Sequence, residues 1–382
     1  MKSSLIGAFG LALTASVAQA GGIERSPQSA MILYETGNLL QFSLAYIEPE
    51  LTGENVSPPF PPQTLGTLTD SFVLPTFELK FDLSDRLALA FRYERPFGAD
   101  VTYEDGNVPF GGTVAQAHTQ SLTALMRYRF NDNFSVFGGL RMQQAGGNID
   151  LRGAAYGPLS GYSVDLDDAV GHGYVLGVAY EIPDIALRVA LTYNSAISHD
   201  MKSHETGPLI DPDGPGPLPP LPLLDGVSTT EVKTPESWNL EFQTGIAPDT
   251  LLFGSVLYVK HTQFRVDAER FVAVAQEGLI DLEDSTTYTL GVGRRFNDRV
   301  SGAVSVIYEA PGDKLLSPLS PTIGFTQLRL SGSYAVNDKV TLSGGLGHIW
   351  LGDGQPQTGN TARADFTDNT AWALGLQLSY RF

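Results

Sequence analysis

The sequence of 382 residues contains no cysteine, so neither a disulfide nor a thiolate-bound metal can hold its fold together. Beyond the first 20 residues it has no long apolar run. A membrane-crossing helix needs about 20 consecutive apolar residues, so a helical membrane protein is excluded. Positive charge is scarce: 24 lysines and arginines stand against 42 acidic residues, a net charge of -18. Nucleic-acid binding needs a basic face and is excluded as well. No nucleophile elbow, phosphate-binding Walker loop or dinucleotide fingerprint occurs, and an enzyme is not expected. The one continuous apolar stretch, residues 5–17, follows Lys2 and precedes Ala18-Gln19-Ala20. A charged start, an apolar core and an A-x-A site predict a signal peptide over 1–20.

What is present is alternation. In residues 371–382, Trp372, Leu374, Leu376, Leu378, Tyr380 and Phe382 fall on one face of an extended strand. Ala371, Ala373, Gly375, Gln377, Ser379 and Arg381 fall on the other. Strand side chains have a period of two, so one face is wholly apolar and the other small or polar. The pattern recurs back to Leu39, as in Leu87, Leu89, Phe91 and Tyr93 against Ala88, Ala90, Arg92 and Glu94. Hydrophobic content of 42% with a mean hydropathy of -0.04 fits strands whose lipid-facing residues alternate with lumen-facing ones. Asn131-Asp132-Asn133, Pro183-Asp184, Pro248-Asp249, Asn297-Asp298 and Asn337-Asp338 separate strand pairs. Such residues tolerate left-handed backbone and bond their own main chain. The prediction is an all-β, transmembrane antiparallel barrel of about fourteen strands over 39–382, with short turns on one rim and long loops on the other.

Two loops are expected to be long, 145–171 with Tyr156, Leu159 and Tyr162, and 195–235. The second carries a proline-dense stretch, 214–224, with Leu218, Leu221, Leu223 and Leu224. Proline at this density stiffens the chain and presents those leucines at the outer surface, a candidate apolar binding rim. Residues 21–38 are too short for a domain. They form either a disordered lead-in or a small lumen plug built on Met31, Ile32, Leu33 and Tyr34. On the lumen register lie Glu78, Lys80, Arg92, Glu94, Arg127, Arg129, Arg141, Arg188, Glu241 and Arg329. They suit a mutually paired network; alternatively Arg92, Arg127 or Arg129 meets a carboxylate ligand. The histidines lack ligand spacing, so no metal and no cofactor are expected, and His348 beside Trp350 suits an interfacial belt.

Two local motifs and the layout carry a resemblance. Arg92-Tyr93-Glu94-Arg95-Pro96-Phe97-Gly98-Ala99-Asp100-Val101 and Thr234-Pro235-Glu236-Ser237-Trp238, with the terminal phenylalanine, look like segments of one family. The chain resembles the outer-membrane long-chain fatty acid and aromatic hydrocarbon transporters (FadL/TodX type) over nearly its whole length. The resemblance implies passive transport of hydrophobic small molecules across the outer membrane of a Gram-negative bacterium. It also implies capture by apolar outer loops and a lateral wall opening at a kinked third strand, here Glu94, Pro96, Phe97 and Gly98. The family's N-terminal hatch is usually longer and carries Asn-Pro-Ala, which is absent before Leu39, so only a reduced plug is expected here. Expected partners are the hydrophobic ligand, outer-membrane lipid and lipopolysaccharide, and the barrel assembly machinery. The inward arginines and glutamates keep a water-filled porin for small polar solutes as the alternative.

Overall fold

The computed structural model describes residues 23–56, 58–211, 219–312 and 315–382. The expected signal peptide and Leu218 lie outside the described residues. In chain order the barrel strands are β1 (Leu39–Glu50), β2 (Phe72–Asp82), β3 (Leu87–Glu94 and Gly98–Thr102), β4 (Val114–Arg129), β5 (Phe134–Leu151), β6 (Tyr162–Ile182), β7 (Leu187–Asn194 and Ile197–Thr206), β8 (Gly226–Thr234 and Ser237–Ala247), β9 (Thr250–Val259), β10 (Ser285–Arg295), β11 (Val300–Glu309), β12 (Phe325–Ala335), β13 (Val340–Leu351) and β14 (Thr370–Arg381). Each pairs antiparallel with its neighbours in sequence, and β1 pairs with both β2 and β14. The sheet therefore closes into a barrel of fourteen strands.

The two-residue period sets the faces. Trp372, Leu374, Leu376, Leu378 and Tyr380 of β14 are exposed on the outside, while Ala371, Ala373, Gln377 and Ser379 are buried within. Rings gather at two heights, as interfacial girdles do. Tyr193 lies between Tyr174 and Trp238, and His348 between Trp350 and Trp372, near the long-loop rim. Phe134 meets Tyr180, and Phe81 meets Phe382, near the short-turn rim. At the short turns, Asn297 Oδ1 accepts from the main-chain N–H groups of Arg299 and Val300, and Asn337 does the same for Lys339 and Val340. β9, apolar on both faces, turns Leu251 and Phe253 into the lumen.

The loops after β5 and β7 are shorter than their sequence suggests. Residues 145–151, 162–171, 197–206 and 226–234, expected as loop, are strand. The alternation continues there with its polarity reversed. Ile149, Leu151, Tyr162, Val164, Leu166, Met201 and Val232 are buried inside, while Asp165, Asp167, Lys202, Glu231 and Lys233 face out. These strands rise above the lipid belt, where the outside is water and the inside is roofed by loops. Pro235-Glu236 accordingly interrupts β8 and does not open it.

β3 is interrupted in a different way. Its first half pairs with both β2 and β4, whereas Gly98–Thr102 pairs only with β4. Phe72 to Thr76 of β2 pair with β1 alone. The ladder between β2 and β3 therefore stops at the Phe77–Tyr93 pair.

Candidate functional site

The N-terminal segment runs down the lumen and is held by wall side chains of both charges. At its upper end it takes the place of the missing strand partner: Arg25 N donates to Pro96 O at 2.7 Å and Gly98 N donates to Ile23 O at 2.8 Å. The Arg25 guanidinium stacks over Phe72 of β2, 4.3 Å from the ring centre. A Cβ on residue 98 would sit 2.8 Å from that guanidinium, so glycine leaves it room. Thr119 of β4 holds the kink, accepting from Phe97 N at 2.9 Å and donating to Phe97 O at 2.7 Å.

Lower down, Arg92 pairs with Glu94 at 3.1 Å and Glu78 at 3.6 Å and donates to Ser29 O. Ser26 Oγ donates to Glu94, and Ser29 Oγ donates to Glu241 at 2.7 Å. Arg141 donates to Gln28, to Asn194 at 3.1 Å and to Thr123 at 2.9 Å. The segment then forms a single 3-10 turn, Met31–Tyr34, with Ile32, Leu33 and Tyr34 buried against inward Ala88, Ala90, Leu125 and Phe137. The Tyr34 ring lies edge-on to Phe137 and beneath two cations, Arg127 at 4.7 Å and Arg188 at 4.6 Å. Its hydroxyl is 3.0 Å from Ser135 Oγ. Buried charges in a low-dielectric lumen persist only when paired and bonded in this way.

Above this network the lumen is apolar. A pocket is lined by Ile23, Phe97, Ala115, Ala145, Ile149, Leu166, Met201, Val232, Phe264, Val266, Ile280, Leu282 and Leu319, and reaches Gly98 and Ala99 at the kink. Among the described residues no lysine or arginine lines it. Ile280, Leu282, Leu319 and Ser320 also line a wide outer cleft of about 2570 Å³, whose other walls include Tyr156, Leu159, Phe271, Leu279, Leu316 and Ile323. Cleft and pocket thus share a wall. Beneath the segment, a polar vestibule of about 2080 Å³ opens toward the short-turn rim, lined by Glu35, Asp82, Arg127, Arg129, Glu181 and Arg188.

The residues singled out by sequence divide accordingly. Tyr156 and Leu159 line the outer cleft. Tyr162 lies buried, its hydroxyl donating to Glu205 at 2.8 Å. Leu224 is buried against Gly207, while Leu221 and Leu223 are exposed. Leu221 exchanges main-chain bonds of 2.8 Å with Ile210, which folds this loop on itself, away from both cleft and pocket. Arg92 belongs to the paired network, and Arg127 and Arg129 face the vestibule. Glu94 is bonded within the network, and Pro96, Phe97 and Gly98 form the break in β3. Phe264, Val266, Ile280 and Leu282 were not singled out. Their signal is the spacing by two in Phe264-Arg265-Val266 and Ile280-Asp281-Leu282, inside an otherwise acidic loop.

The model of the outer membrane protein transport protein family (OMPP1/FadL/TodX) matches residues 2–382. The chain belongs to this family. Membership places it in the outer membrane as a transport channel of the FadL/TodX kind; it is a transport family, not an enzyme family. A FadL homologue of Pseudomonas aeruginosa is similar in structure, with a TM-score of 0.74 at 16% identity over 95% of this chain and 96% of that one. The Pseudomonas putida toluene transporter TodX gives 0.62 at 13% identity, covering 95% and 96%. The Ralstonia pickettii toluene transporter TbuX gives 0.61 at 12% identity, covering 91% and 90%. At these identities the likeness establishes the fold. No curated protein sequence matches.

Proposed function

We propose that this family member conducts uncharged hydrophobic small molecules from the outer cleft, through the apolar pocket, to the gap between β2 and β3 and so into the bilayer. The observation that carries this is the pocket itself: one apolar chamber shares Ile280, Leu282 and Leu319 with the outer cleft and touches Phe97 and Gly98 at the break in the wall. The hydrophobic effect supplies the attraction at about 25 cal/mol per Å² of apolar surface removed from water. The pocket walls offer a carboxylate no lysine or arginine, and Arg92 below is already engaged by Glu78 and Glu94. An ionised group left unpaired there bears a desolvation penalty of several kcal/mol, on the order given for buried ions.

In this proposal residues 23–38 act as a lumen plug, and β2 parting from Arg25 and Phe97 forms the exit. No energy source is involved, so net flux follows the gradient. Uptake of radiolabelled toluene and of oleate by cells carrying this channel, set against cells without it, tests the reading. Toluene uptake should rise and oleate uptake should rise much less. Equal stimulation of both defeats the claim of an uncharged substrate. A large steady ionic current in planar bilayers from the purified barrel favours the water-filled porin instead.

A further inference from the structure

We propose that the β9–β10 loop, residues 260–284, is the element that selects the substrate, and that Glu205 of β7 is the residue that positions it. The proposal rests on cleft and pocket being the substrate path. Of the outer loops, the one after β5 contributes Tyr156 and Leu159 to the cleft only, and the described part of the one after β7 contributes to neither space. The β9–β10 loop supplies Phe264 and Val266 to the pocket, and Ile280 and Leu282 to both spaces. Ile280 and Leu282, together with Leu319 and Ser320 of the loop between β11 and β12, therefore line the passage from cleft to pocket, and the β9–β10 loop is the one that also carries side chains deep into the pocket.

The loop is closed on itself by Leu279 N donating to Val266 O at 3.0 Å, which brings its two lining stretches side by side. Between them lies its one α-helix, α1 (Glu269–Ala275). Asp284 ties its base, accepting from the Tyr258 hydroxyl at 2.6 Å and from Thr262 N at 3.0 Å. The fixed point at its far side is Glu205, which is 2% exposed. Its carboxylate accepts from Arg270 N at 3.0 Å, Phe271 N at 2.9 Å and the Tyr162 hydroxyl at 2.8 Å. The Phe271 ring packs on Tyr162, 4.8 Å between centres. One acidic side chain on a rigid strand thus fixes the loop that forms the narrow passage. Ser228 Oγ adds a fourth donor at 3.4 Å. A charge-assisted acceptor serving several donors is strong and directional, so the loop's height over the pocket is set by the barrel.

The experiment compares uptake of two neutral probes of different width, toluene and naphthalene, over a range of concentrations, in vesicles carrying the full-length channel. Heat-modifiable gel mobility verifies that each variant forms the barrel. Leu282→Ala should widen the passage and change the naphthalene-to-toluene ratio by about tenfold, the effect of small volume changes in apolar pockets. Glu205→Ala should raise the half-saturating concentration of both probes and erode the ratio. Glu205→Gln, which keeps an acceptor oxygen for the helix N–H groups, should restore most of the discrimination. The double variant Leu221→Ser with Leu223→Ser should leave both values as they are. If the ratio is unmoved by Leu282→Ala and by Glu205→Ala while uptake falls, Glu205 is merely structural and the proposal is overturned. A ratio that moves with Leu221 and Leu223 instead also overturns it. If the unaltered channel raises uptake of neither probe, the pocket is not the substrate path, a failure distinct from these.

Discussion

If residues 23–38 plug the lumen as proposed, replacing Arg92 by leucine should raise the ionic current through the barrel. Arg92 is the junction between the wall and the N-terminal segment proposed as the plug: it donates to Ser29 O of that segment and pairs with Glu94 and Glu78 of the wall. A hydrogen bond from a charged group contributes about 1.5–3 kcal/mol, which alone shifts the seating equilibrium roughly 10- to 150-fold toward release. The wall adds to this. With Arg92 gone, Glu78 and Glu94 are left as buried carboxylates without their cation, and removing one partner of a buried pair costs about 3–5 kcal/mol. Water admitted by an unseated plug relieves that penalty, so both contributions favour the same displacement. The strand ladder is untouched, because the lost bonds are all made by side chains. Planar-bilayer recording of the purified barrel measures the outcome as the fraction of time spent conducting, expected to rise by one to two orders of magnitude by the same arithmetic. Lys233→Met is the control, since it removes only an exposed rim pair to Glu231 at 2.7 Å, of a kind worth about 0–1 kcal/mol. An Arg92→Leu barrel as silent as the unaltered one would refute the idea that this guanidinium holds the plug.

Other consequences follow from the same contacts. Ala115→Phe places a ring in the apolar pocket that Ala115 lines, and by the cost of overpacking, about 1–3 kcal/mol, toluene uptake should fall about tenfold or more with barrel yield unchanged. Phe137→Ala removes a buried ring that stands edge-on to Tyr34 and fills the space left by Gly177. It should destabilise the barrel by about 3–5 kcal/mol in urea titrations of lipid-inserted protein and raise bilayer current noise, because the same ring seats the plug. His261, at the base of the β9–β10 loop, is held neutral by burial, its pKa lowered from 6.5 to about 4 with Asp284 opposing the shift. The unfolded loop takes up a proton first as pH falls, so stability is full above about pH 6.5 and is lost progressively down to about pH 4, by up to about 3 kcal/mol. Protease cleavage within residues 260–284 should rise across that window, and His261→Gln should flatten the profile.

The barrel was legible because lipid imposes its period on every strand. Leu374, Leu376 and Leu378 need no partner other than acyl chains, and Asn297 and Asn337 mark turns by bonding the main-chain N–H groups of the residues that follow. The extent of β5 to β8 was not legible, because above the lipid the same period runs with its signs exchanged. Val164 and Leu166 point inward and Asp165 and Asp167 outward, which out of context resembles an irregular loop. The lumen network was half legible: the register assigned Arg92, Glu94, Arg141 and Glu241 to the inside, but their common partner is the stretch from Ser26 to Ser29, which has no periodicity. The pocket was the least legible, since Ile23, Phe97, the Phe264 and Ile280 stretches of one loop, and Leu319 come from four separate places in the chain and meet only through closure.

On the proposed path, the exchange of polarity along the barrel axis also accounts for a short plug and a sideways exit. Residues 23–38 do not fill the lumen by their own bulk. Long inward side chains, Arg92, Arg141, Arg188 and Glu241, reach in from several strands and bond Gln28, Ser29 and Tyr34. That network is polar, whereas the chamber above it is apolar. Moving a single aromatic ring, with about 150 Å² of surface, from the chamber into the polar half forfeits about 4 kcal/mol at 25 cal/mol per Å², close to a thousandfold in occupancy. Lipid beyond the β2–β3 gap imposes no such loss. For a hydrophobic molecule already in the chamber, the axial path is therefore closed by solvation before it is closed by sterics, and loosening the plug should raise ion current far more than toluene flux. A rise in both by the same factor in the Arg92→Leu barrel would show that the ligand travels down the axis.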